Sequence, residues 1–165
     1  MMKSTLVLGF IIGVSMLGQT AFAVELRRDH LIIDFPVPPT SGEVVERHEV
    51  GSIRRYGAVA QTDTCDYALF EFQYPRRYIQ AIGEEGLLAE AVRESVLNHE
   101  GQVHSLKRGS RGGVALDVVG FTRGTVKGHG NARYLQVDDM VYEAVVLCIA
   151  GVRADPQFLR SIRIN

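Results

Sequence analysis

The chain lacks an excess of charge of either sign: 18 Lys and Arg stand against 19 Asp and Glu in 165 residues. A general nucleic-acid binder normally carries a basic surplus, so that class is excluded. Only two cysteines occur, Cys65 and Cys148. They do not form CxxC, which leaves a thioredoxin-type redox role unsupported. There is no low-complexity tract and no internal repeat. What remains is enough chain for one domain with a real core.

The N-terminal stretch MMKSTLVLGFIIGVSMLGQTAFA has Lys3, an apolar core from Leu6 to Leu17 and small residues at Ala21 and Ala23 around Phe22. That is the pattern of a signal peptide over residues 1–23, with cleavage after Ala23 and a periplasmic or secreted domain over 24–165. The run is short for a membrane span, so the cleaved protein is not expected to be integral to the membrane. An uncleaved anchor is the competing reading. No cysteine lies near the cleavage site, so a lipoprotein anchor is unsupported. In an oxidising compartment, Cys65 and Cys148 either form a single disulfide or stay as two buried thiols that pack as small apolar groups.

One amphipathic helix stands out, Glu84 to Asn98. At 100° per residue Leu87, Leu88, Ala89, Ala91, Val92 and Val96 share an arc, with Glu90, Arg93 and Glu94 opposite. Gly101 is a plausible stop. The flanking segments alternate like strands. Val24 to Asp29 reads as a polar lead-in and His30 to Pro36 as a first strand. Val44 to Val50 and Ile53 to Ala60 read as two strands turning at Gly51-Ser52. In CDYALFEFQYP, Ala68, Phe70, Phe72 and Tyr74 form a buried face, with Glu71 and Gln73 outward. Val114 to Phe121 is a further strand. ARYLQV and MVYEAVVLCIAG make a hairpin at Asp138-Asp139, and the second arm is apolar enough to be covered on both faces. Asp155 and Pro156 open a short terminal helix holding Phe158, Leu159 and Ile162, with Arg163 to Asn165 trailing.

RRYGAVAQTDTCDYALFEFQYP resembles the paired strands of the PsbP-like fold, and FLRSIRI resembles the ending of the same group. That group includes the photosystem II subunit PsbP, Ran-binding Mog proteins and exported bacterial proteins such as DcrB. The resemblance implies an α+β fold: an antiparallel sheet of about six strands packed against one long helix and a short C-terminal helix. It further implies a binding or assembly factor and supplies no catalytic residues and no cofactor.

Motifs that suggest chemistry do not hold. NHEGQVH sets His99 and His104 five residues apart, roughly 140° round a helix, whereas HExxH needs four to bring both to one zinc. His30, His48, His104 and His129 are dispersed, and no metal site is assigned. GHGNAR has Arg133 where the dinucleotide fingerprint needs a third glycine. GSRGG has no central serine for a nucleophile elbow. Lys107, Arg108, Arg111, Arg123 and Lys127 fall in two glycine-rich loops flanking one strand. If the loops converge, they form a patch for an anionic envelope component; otherwise they are solvated charges. The reading is an exported, non-enzymatic binding or assembly module of a bacterial envelope, with an unknown protein or anionic partner. The alternative is an enzyme or metal-binding protein using dispersed histidines and acids such as Asp117, Asp138 or Glu143.

Overall fold

The computed structural model describes residues 23–49, 51–98, 101–111, 114–123 and 128–165. Residues 1–22 of the expected signal peptide over 1–23, the role of His99 and the position of Lys127 lie outside them. In chain order the elements are β1 (Val24–Arg27), β2 (Leu31–Phe35), β3 (Thr40–His48), β4 (Gly51–Gln61), β5 (Cys65–Gln73), α1 (Arg76–Ile82) and α2 (Glu84–Asn98). Then come β6 (Gly101–Arg111), β7 (Val114–Arg123), β8 (Gly128–Val137), β9 (Met140–Cys148), α3 (Gln157–Arg160) and β10 (Arg163–Ile164).

The strands form two antiparallel sheets. The larger runs β3-β4-β5-β9-β8-β7-β6 and the smaller β1-β2-β10. This overturns the expected α+β arrangement of about six strands on one long helix. The molecule is mostly β. Three stretches taken for lead-in, loop and tail are strands instead. Val24–Arg27 pairs with β2 and places Val24 and Leu26 against the core, with Glu25 and Arg27 outward. The basic run through Lys107 and Arg111 is held extended by its ladder with β7. Arg163 and Ile164 pair with Ile32 and Leu31. In each case the partner strand supplies what local composition does not: tertiary pairing outweighs intrinsic preference.

The core lies on both faces of the larger sheet. On one face Leu31, Ile33 and Phe35 of β2, with Phe158, Leu159 and Ile162, meet Leu69, Tyr142, Ala144 and Val146. On the other, Leu87, Leu88, Ala91 and Val92 of α2 meet Tyr134, Val141 and Val145. Helix α2 has the span read from the sequence, but Ala89, placed on its apolar arc, is exposed. It is one layer segment and not the element the sheet is built on. β9 is covered on both sides, as its run of apolar residues, broken only by Glu143, implies. β5 is also covered on both sides. Cys65, Tyr67, Leu69 and even Glu71 are buried on the face taken as outward, while Phe70 and Phe72 are only half-buried.

Cys65 and Cys148 are joined by a disulfide across β5 and β9, where they are register partners with Cα atoms 4.1 Å apart. No helix among the described residues is long and apolar enough to cross a membrane.

Candidate functional site: an open groove over β3, β4 and β5

The helix α2 packs over β6 to β9. The β3–β5 half of the same sheet face extends past it, and that overhang is a groove of about 670 Å³. The opposite face of the sheet is filled by the smaller sheet and α3, so the concave surface lies on the helix side, not the far side.

Strand periodicity builds the groove. Arg55, Gly57 and Val59 of β4 face it, with their partners Val44, Gly42 and Thr40 on β3 and Phe72, Phe70 and Ala68 on β5. One cross-strand row reads Gly42, Gly57, Phe70, Glu143, Tyr134. Two glycines in that row leave the floor without side chains. The Phe70 ring lies across Gly57, within 3.3 Å of where a Cβ would stand. Phe70, Phe72, Tyr74 and Tyr78 form a run of rings, with centroid steps of 6.4, 6.4 and 5.4 Å. Ring spacings in this range are favourable in tilted and stacked arrangements.

Three ionisable groups border the apolar wall. Arg55 Nη1 lies 3.1 Å from Glu46 Oε1, its guanidinium stands 5.6 Å from the Phe72 ring centre, and its Nε is buried without a hydrogen-bond partner among the described residues. Glu143, only 3% exposed, accepts a hydrogen bond of 3.1 Å from the Tyr134 hydroxyl. Chemically the groove offers apolar and aromatic contact along its length, with a few fixed polar groups. That is the usual make-up of a ligand-binding cleft.

Of the residues singled out from sequence, Glu143 lines the groove, while the described basic residues sit on β6 and β7. Arg111 pairs with Val114 at one end of β7, and Arg123 pairs with Gly101 at the other. Nine steps of an extended strand separate these ends by roughly 30 Å. The register therefore does not bring Arg111 and Arg123 together. Lys107 and Arg108 sit opposite Val118 and Asp117, between the two. His48 closes the β3–β4 hairpin opposite Gly51, His104 falls at a register shift in β6, and His129 pairs with Cys148. Among the described residues no group of three or more His, Cys, Asp or Glu is placed to hold a metal. Asp138 occupies a hairpin turn at φ 53°. Sequence reasoning missed the groove because its site is an uncovered part of a face, which depends on where α2 stops. The signal available was Gly57 in the interior of β4, since a strand glycine often marks a close approach.

A second, smaller recess of about 370 Å³ is lined by Asp34, Tyr67, Asp155 and Arg160. Burial first, then the negative charge of Asp155, raises the Tyr67 phenol above its ordinary pKa.

Compared with protein-family models and with curated proteins, the chain matches none.

Proposed function

We propose that this protein is an exported binding or assembly module of a bacterial cell envelope and that the groove over β3–β5 is its binding surface. The carrying observation is the contrast between the faces of one sheet. One is packed against the smaller sheet and α3, while beside α2 Phe70 and Phe72 stay partly exposed along the groove, next to the buried Tyr74 on which Tyr78 of α1 stacks. Half-exposed aromatic side chains on a concave, largely pre-formed surface favour contact with a partner. The likeness of residues 54–75 and 158–164 to the PsbP-like group points the same way, as does the disulfide, which suits an oxidising compartment.

In-cell photocrosslinking tests the reading. A photoreactive phenylalanine analogue replaces Phe72, and a second replaces Lys107, exposed on the far strand. A discrete envelope adduct from position 72 and none from 107 supports it. Equal labelling at both positions, or no adduct together with turnover of an envelope substrate, overturns it.

A further inference from the structure

The two edges of the larger sheet are built differently. β6 carries a register shift between Val103 and Ser105 and the basic residues Lys107, Arg108 and Arg111. Bulges and charges on an edge strand block pairing with another chain. β3 has no such bulge, although Glu43, Glu46 and Arg47 stand on it. Its nine residues pair with β4 without a register shift, and it contains no lysine and no proline. Val44 and Val45 are 58% and 55% exposed. An unbroken edge with exposed valines is a template for a further strand.

The sequence of β3 states which strand fits. Laid antiparallel against itself with Val45 opposite Val45, TSGEVVERH sets Glu43 across from Arg47 at two symmetric places. Centring on Glu43 or Glu46 puts a carboxylate against its own copy. Centring on Val44 sets Glu43 against Val45 and forgoes the ion pairs. We propose that the chain forms a two-fold dimer by antiparallel pairing of β3 with β3 of a second copy, in the Val45-centred register. Glu43 and Arg47 are both exposed, so each is placed to reach across. Glu43 already lies 3.1 Å from Arg54 within the chain, which holds its carboxylate in position on that face. With the two-fold axis normal to the sheet, both grooves open on the same side. Gly42 and Val44 of the two copies then line one continuous trough.

The inference stands apart from the groove's role, since it concerns the strand edge and not the aromatic wall. It is tested by crosslinking and by charge reversal. Both native cysteines are bonded, so Val45→Cys adds the sole free thiol. Mild oxidation should convert Val45→Cys to a covalent dimer and leave Lys107→Cys monomeric. In sedimentation equilibrium, Arg47→Glu should weaken the dimer about fivefold or more, because like charges replace opposite ones at two cross-strand positions. Adding Glu43→Arg should restore it. A wild-type protein that stays monomeric up to about 0.1 mM overturns the proposal, since a dissociation constant above that range gives no dimer in use. So does an Arg47→Glu dimer of undiminished strength, crosslinking of Lys107→Cys to the same extent, or capture of Val45→Cys on a different polypeptide.

Discussion

Arg28 donates two hydrogen bonds to the Glu71 carboxylate, from Nε at 2.9 Å and from Nη2 at 3.2 Å. The guanidinium also lies 3.8 Å from the Tyr56 ring centre. Glu71 is 6% exposed, so its charge is tolerated only because the loop between β1 and β2 brings a cation to it. The hydrogen bond to Glu71 raises the Arg28 pKa further. The pair joins the smaller sheet to the larger. Removing the cation strands a buried carboxylate, so Arg28→Ala should cost about 2–4 kcal/mol, discounted for the partial exposure of Arg28. Replacing both partners with Arg28→Met and Glu71→Leu should recover most of that loss. Urea midpoints of the three variants check it, and a double variant as weak as Arg28→Ala would contradict the account.

Tyr142 gives a pH prediction. Its hydroxyl is buried on the smaller-sheet side and, among the described residues, completes no hydrogen bond of full geometry. Burial, then the negative charge of Glu71, raises its pKa well above the ordinary phenol value, and the nearby His30 backbone offsets only part of this. A phenol raised in the folded state contributes its full stability below the unfolded pKa, about 10. That contribution falls as pH climbs from there toward the folded value. Stability should therefore decline above about pH 10, and Tyr142→Phe should flatten that decline. At pH 7 the same variant should be neutral or slightly stabilising, because it deletes a buried hydroxyl that lacks a full hydrogen bond among the described residues. Thermal melts from pH 7 to 11 provide the measurement.

The disulfide closes a separation of 83 residues. Replacing both ends, as Cys65→Ala with Cys148→Ala, should lower stability by about 2–4 kcal/mol through the freed unfolded chain. Because β5 and β9 remain ladder partners over nine positions, the far-ultraviolet spectrum should keep its β signature. Loss of that signature at room temperature would show that the bond organises the sheet and does not merely tighten it.

Two glycines separate conformational need from space. Gly51 has φ 131°, and a Cβ there would stand 2.8 Å from Pro75 Cβ. Gly51→Ala should cost more than about 1 kcal/mol, from both the backbone and the clash. A Cβ on Gly42 meets nothing within 4 Å, so Gly42→Ala should leave the urea midpoint within the range of ordinary surface changes, about 0.5 kcal/mol.

Elements with a strong local signal were legible in the sequence. The 84–98 helix, the Asp138-Asp139 hairpin and the doubly covered β9 follow from periodicity and turn chemistry. Pro156, expected as the first helical residue, is the N-cap of α3, and Asp155 just ahead of it accepts the Gln157 N–H at 2.8 Å. Elements defined by their partners were not legible. Gly109, Ser110 and Arg111 carry no strand preference, yet Leu116, Ala115 and Val114 hold them in register. Two-residue β10 exists only because Ile32 and Leu31 present an edge. Glu71 was misplaced because alternation assigns a face but cannot say that the second face is also covered, nor that Arg28, 43 positions away, arrives to neutralise it. The groove was invisible for the same reason, since it is a gap between layers.

The strand order has a consequence for how the chain matures. β3, β4 and β5 are consecutive and adjacent, and so are β6, β7, β8 and β9; among the described residues the β5–β9 ladder alone joins the two sets. During synthesis from the N-terminus, Phe70 and its neighbours in β5 are made well before Met140 to Cys148. Until the second meander arrives, the first presents an unclosed, aromatic-rich flank. The interval is the moment at which a holdase would be most needed and at which a nascent thiol at Cys65 has no native mate.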